Sequence, residues 1–249
     1  MSDSPHVLIA IESSVRPGDV ALFIDGKLAA SRALSYERPN ADALFPTIRD
    51  LLAAHGLTPR DIAAFAYSAG PGSFTGLRVA TTVARMLNSV LGCLVVSVAT
   101  LDVLAIAAFS CGDSPPDLVV TVDAKASRAV AARYRRLSAA GAEDIEFEIV
   151  DPPAVRTTPW FAALPACVGL TGAGVPTVYA RDRSAQAWVA PPERWQPSAV
   201  GVGCRAVHLL ARSLTTPPDQ IVPLYVRPPE CEEVYERRRR EARERSKAR

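Results

Sequence analysis

Ser68-Ala69-Gly70-Pro71-Gly72-Ser73-Phe74-Thr75-Gly76-Leu77-Arg78-Val79-Ala80 is the stretch that decides the fold. Upstream of it, Ile62 to Tyr67 is a short β-rich apolar run closed by Gly and Pro, which reads as a buried strand. Gly70 and Gly72 allow backbone angles closed to other residues, Pro71 fixes the corner, and Ser73 or Thr75 can cap the helix that follows. From Thr75 to Leu91 the apolar residues cover roughly half of a helical wheel, more than one packed face requires, and Gly92 ends the helix. The surplus calls for a second apolar contact, either with another helix of this chain or with another protein. Gly70, Gly72, Ser73, Thr75 and Gly76 could hold an anion or nucleotide phosphate on the turn's N–H groups. The same residues also suffice for a plain close connection between strand and helix. The Lys-Ser/Thr pair of a P-loop is missing.

Outward from the turn, the N-terminal part reads as paired strands. Val7 to Ile11 is a strand ending in Glu12-Ser13-Ser14, and Val20 to Ile24 with Leu28 to Ala33 form a hairpin about Asp25-Gly26, a type I′ signal. Glu12 could serve a nucleotide's metal ion or simply be solvated. A helix capped by Asn40 or Asp42 should run to Ala54, with Pro46 delaying its start or kinking it, and should lie beside the Thr75 to Leu91 helix. Leu94 to Val98 is a strand and Thr100 to Phe109 a helix, after which Cys111 to Pro116 is linker-like.

The opening pattern then recurs. Leu118 to Val122 is a strand ending in Asp123, with Arg128 to Leu137 as its partner, so the chain reads as a duplicated α/β fold with two lobes. Farther on, a strand is expected near Glu146 to Val150, and another at Cys167 to Leu170 runs into the second glycine turn, Thr171 to Gly174. Ser198 should cap a helix to about Leu214, and Pro223 to Arg227 should be extended. The expected division is residues 1–110, 111–227 and a charged tail, 228–249.

The chain has 249 residues, of which 49% are hydrophobic, enough for a sizeable core. The sequence shows neither a 20-residue apolar run nor a signal-peptide pattern. The five cysteines form no CxxC pair, and no metal box or paired acids stand out. Cytoplasmic localisation is the expectation. From Arg237 to Arg249, eight Lys/Arg stand against two Glu, so the tail carries +6 and the rest is slightly acidic. Such a tail suits RNA phosphates, an acidic partner or plain solvation.

Val7 to Ser14, Gly70 to Ala80, Val96 to Leu101 and Val122-Asp123-Ala124 together resemble the bacterial TsaB (YeaZ) family, with Gly-Pro-Gly-Ser-Phe-Thr-Gly-Leu-Arg the most specific piece. Pro223 to Arg227 is similar to that family's late Pro-x-Tyr-x-Arg. The resemblance implies an actin/Hsp70/sugar-kinase (ASKHA) fold. It also implies a noncatalytic partner of TsaD in attaching threonylcarbamoyl to the adenosine beside the anticodon of tRNAs reading ANN codons. TsaE would join as an ATPase, and TsaC would make the threonylcarbamoyl-adenylate. Further implications are tRNA contact through the complex, a homodimer when alone, and no tightly bound cofactor, with ATP or ADP at the interface with TsaD and TsaE. The family's interface helices fall on Asn40 to Ala54 and Thr75 to Leu91, which nominates Leu44, Ile48, Leu51, Val79, Val83, Met86 and Val90 for the contact. TsaD carries a His-x-x-x-His metal pair, and the positions set against it here are Thr100 and Leu104. Glu12 stands where the family usually has Asp. Two other classes compete: a stand-alone ASKHA-type kinase or peptidase-like enzyme using Glu12 or Asp123, and an RNA-binding module dominated by the tail.

Overall fold

The computed structural model describes residues 6–35, 40–124, 128–139, 145–179 and 188–226, with Tyr235, Arg238 and Arg239. Its first sheet contains β1 (Val7–Glu12), β2 (Asp19–Ile24), β3 (Lys27–Ala33), β4 (Ile62–Gly70) and β5 (Leu94–Ala99), in the order β3-β2-β1-β4-β5. β1 is antiparallel to β2 and parallel to β4, and it is buried along its whole length, as a central strand covered on both faces should be. The β2–β3 turn has positive φ at both Asp25 (51°) and Gly26 (76°), the type I′ geometry the sequence predicts.

The second sheet repeats the plan with β6 (Asp117–Asp123), β7 (Ala129–Arg136), β8 (Phe147–Arg156) and β9 (Gly169–Thr171), in the order β8-β7-β6-β9. β6 is antiparallel to β7 and parallel to β9, as β1 is to β2 and β4. The place held by β5 in the first sheet shrinks to one parallel bridge, Leu170 with Val189, flanked by hydrogen bonds from Leu170 N to Trp188 O (3.0 Å) and from Ala190 N to Leu170 O (2.9 Å). β8 outruns the strand expected near Glu146 to Val150, continuing through Pro152 and Pro153. It lies at the sheet edge, where one proline can turn its missing N–H outward, and the register shift between Ala131 and Arg133 of β7 falls opposite the pair.

Two helices cover one face of the first sheet. α1 (Asn40–Ala54) and α2 (Phe74–Leu91) bring Leu44, Ile48, Leu51, Leu52, Ala80, Val83 and Leu87 into one core with Val7, Ile9, Leu22, Phe65 and Tyr67. α1 starts at Asn40, so Pro46 does not delay it; the carbonyl Pro46 cannot bond is that of Asp42, an exposed residue of the first turn. α2 is capped by Ser73 and closed by Gly92 at φ 67°. Both ends were legible.

The remaining long helices are exchanged between the lobes. α3 (Thr100–Phe109) leaves β5 and packs Leu101, Leu104, Ala108 and Phe109 against Leu118, Val120, Val130 and Tyr134 of the second sheet. Two short helices, α4 (Thr158–Ala162) and α5 (Val175–Tyr179), precede the return. α6 (Ala199–Ala211) then comes back to the first sheet, setting Ala199, Val202 and Ala206 on Leu8, Ala10, Phe23 and Val98. Packing therefore does not follow a division at residue 110, since α6 and the buried Ile221 belong with the first sheet. α6 also stops short of Leu214. Beyond it, Thr216 lies along the edge of β5, its N–H bonding Val95 O (2.7 Å) and its Oγ1 accepting from Ser97 N (2.8 Å). The basic tail lies outside the described residues, apart from Tyr235, Arg238 and Arg239, all exposed.

Candidate functional site

At the glycine turn the end of β1 is pressed onto the start of α2. Ser73 N donates to Ser14 O (2.7 Å), Leu77 N to Ser73 O (2.9 Å), Gly76 N to Ser73 Oγ (3.4 Å), and Ser13 Oγ to Gly76 O (2.9 Å). A Cβ on Gly76 would lie 1.7 Å from Ser13 O, and one on Gly72 2.5 Å from Ser14 Cβ. These glycines let two backbones touch, and that accounts for them without a ligand. Thr75 is exposed beside them. The second glycine turn uses the same device, since a Cβ on Gly172 would lie 1.9 Å from Thr121 O of β6.

Residues 221–226 close over the first turn. Leu224 N donates to Ala69 O (2.7 Å), Arg85 Nε to Ile221 O (2.8 Å) and Arg78 Nε to the Tyr225 hydroxyl (3.2 Å). The Tyr225 ring stacks on Phe74 at 4.6 Å, with the Arg78 guanidinium 4.0 Å from the Phe74 centroid. The described part of the Pro223 to Arg227 piece, residues 223–226, is thus bound to the turn that precedes it by some 150 residues, and Arg227 lies outside the described residues. Gly70, at φ 122°, makes room for it, because a Cβ there would meet Leu224 O at 2.5 Å.

Glu12 is fully buried, which overturns the solvated reading. Its Oε1 accepts from Ser14 N at 2.5 Å, and its Oε2 makes no hydrogen bond. Burial pushes the carboxyl from its ordinary 4.5 to about 7; hydrogen bonding from Ser14 and nearby Ser68 eases this, and Asp19 adds to it. The Ser68 and Thr100 hydroxyls share a hydrogen bond (2.6 Å) in which either can donate. Asp19 is itself raised to about 6 by burial, against the lowering effect of the hydrogen bond from Ala199 N (2.9 Å). The signal for Glu12 was its place as the next residue of an uninterrupted buried strand. In the second lobe Asp123 occupies the matching strand end but is exposed, accepting from Thr177 Oγ1 at 3.2 Å.

The seven nominated interface residues fall into two groups. Leu44, Ile48, Leu51 and Val83 are buried in the chain's own core, and Val79 is half-buried against it. Met86 (40% exposed) and Val90 (74%) point away from the core on α2, and α1 adds Phe45 (44%). The apolar surface left open on these helices is therefore smaller than the wheel suggested.

Thr100 and Leu104 have no chemistry for a catalytic metal. Thr100 is buried and hydrogen-bonded to Ser68, Leu104 sits in the second core, and a neutral hydroxyl with an alkyl group cannot replace two imidazoles. Among the described residues, no group of three or more His, Cys, Asp or Glu could hold a metal ion, and no helix is long and apolar enough to cross a membrane.

Two sheets of repeated topology, joined by exchanged helices, define a two-lobed ASKHA fold. The model of the TsaD family, tRNA N6-adenosine threonylcarbamoyltransferase, matches residues 35–157. The Escherichia coli tRNA threonylcarbamoyladenosine biosynthesis protein TsaB is 30% identical over 129 residues, 52% of this chain and 55% of that one. TsaB of Haemophilus influenzae is 31% identical over 47% of this chain and 49% of its own. The chain thus spans about half the length of these curated relatives. The solved structure of YeaZ from Pseudomonas aeruginosa superposes with a TM-score of 0.71 at 26% identity, covering 88% of this chain and 99% of that one. A second Pseudomonas aeruginosa structure, described as similar to the peptidase YEAZ, gives 0.72 at 26% identity, over 89% of this chain and 100% of that one. The chain is thus similar to TsaB (YeaZ) proteins in sequence over about half its length and in fold over nearly all of it.

Proposed function

We propose that this chain is the noncatalytic partner subunit of TsaD in threonylcarbamoylation of the adenosine adjacent to the anticodon in tRNAs reading ANN codons. The observation that carries the reading is the exposed apolar surface of Met86 and Val90 on α2, with Phe45 on α1, on helices whose other faces already fill the chain's own core. Apolar side chains left out on rigid helices suit a partner helix pair. The absence of imidazoles at positions 100 and 104 supports a scaffolding role, with the chemistry supplied by TsaD. TsaE joins the assembly, tRNA is engaged through it, and the same face closes a homodimer when the chain is alone. ATP or ADP is held where the chain meets TsaD and TsaE, not tightly by this chain itself. The site of action is the cytoplasm.

Charging the exposed surface tests this. Met86→Glu combined with Val90→Glu should leave a cooperatively folded protein, because both side chains are exposed, and it should no longer co-purify with TsaD. Undiminished co-purification would remove α2 from the interface.

A further inference from the structure

Where the exchanged helices α3 and α6 meet lies a polar cluster, with Tyr134 buried and Asp102 and Arg205 half-buried, that the partner-subunit reading does not use. Tyr134 of β7, fully buried, donates its hydroxyl to Asp102 Oδ1 on α3 at 2.8 Å. Arg205 of α6 is electrostatically coupled to both, and its guanidinium lies 4.8 Å from the centroid of the Phe147 ring of β8. The Phe147 ring meets Tyr134 edge-on at 5.3 Å. Beyond the helix end, Arg212 pairs with Glu146, the residue before β8. α3 and the two strands supply the second core, with Val103 of α3 also reaching the core of the first sheet, on which α6 packs. Arg205 and Arg212 therefore reach from one lobe to the other.

We propose that Asp102, Tyr134 and Arg205 form an interlobe lock that fixes the angle between the two sheets, so that the lobes move as one body. Swinging α6 away with the first sheet would strip Arg205 from Phe147 and leave the half-buried Asp102, held by Tyr134, without its countercharge. A charge partly shielded from water costs more to leave unpaired than an exposed one, whereas an exposed pair such as Arg212 with Glu146 adds little. Tyr134 contributes by holding the carboxylate in the orientation that faces α6. The result is a constant geometry between the exposed α1–α2 face and the second lobe.

The test is a pulsed electron spin resonance distance measurement on the full chain. Spin labels are placed at the exposed positions Ser89→Cys on α2 and Ala162→Cys on α4, with Cys111, Cys167, Cys204 and Cys231 changed to Ser. With labelled chain diluted in an excess of unlabelled chain, so that only distances within one chain are read, the otherwise native protein should give one narrow distance distribution. Arg205→Gln should add a second population at another distance and speed hydrogen exchange in α6 and β8, with α1 and α2 unchanged. If Arg205→Gln does not fold, Asp102→Asn, which keeps an acceptor for Tyr134 but removes the charge Arg205 faces, should give the same second population. A single unshifted distribution in either folded variant overturns the lock.

Discussion

Glu12→Gln should make this protein more stable near neutral pH. The carboxyl titrates at about 7 in the fold against 4.5 in the unfolded chain, so the unfolded state releases its proton first. For an acid whose folded value is raised, the stability present below pH 4.5 is lost as pH climbs from there through about 7, and is then constant. The full difference of about two and a half units corresponds to about 3 kcal/mol, most of it expressed between pH 5 and pH 8. Gln keeps the shape of the neutral acid, can still accept from Ser14 N, and offers donors toward the Ser14 Oγ, which is buried without a partner. Urea unfolding of both proteins at pH 5 and pH 8 isolates the effect, since Asp19 and the histidines are present in each. The variant's advantage should grow by about 2 kcal/mol between the two conditions. Parallel pH dependences in the two proteins would mean that Glu12 ionises as it does in water, and the burial argument would fail.

Gly76→Ala sets a methyl against Ser13 O, where backbone meets backbone, and should cost at least ~1–3 kcal/mol in chemical denaturation, while Gly112→Ala, with open space around it, should stay within ~0.5 kcal/mol. Equal stability of the two would show that the turn does not need its glycines for packing. Tyr225→Ala removes the stack on Phe74 and the Arg78 hydrogen bond, about 0.5–1.5 kcal/mol, and should speed hydrogen exchange at Leu224. Unchanged exchange at Leu224 would show that its bond to Ala69 O holds without the ring.

What could be read from the residues follows from how local its causes are. The strand, turn and helix from Ile62 to Gly92 are written in Gly, Pro and a capping Ser, all acting within a few residues of one another. The duplication was visible because apolar runs ending in Glu12 and Asp123 recur in the same order. By contrast, nothing near Arg78 or Arg85 announces that they hold residues 221–226. Phe45 is exposed and Val83 buried, a split that depends on what packs against each helix and that a wheel does not contain. The second lobe was harder, since β9 is three residues long, α4 and α5 are single turns, and β8 carries two prolines that its edge position tolerates.

The measurement closest to the central claim is a reconstitution of this chain with TsaC, TsaD, TsaE, ATP, threonine, bicarbonate and an ANN-reading tRNA, scored by nucleoside mass spectrometry with each component omitted in turn. The account predicts that the modified adenosine appears only when this chain and TsaD are both present, and that this chain never substitutes for TsaD. Modification at full rate without this chain, or turnover by this chain in the absence of TsaD, would contradict it.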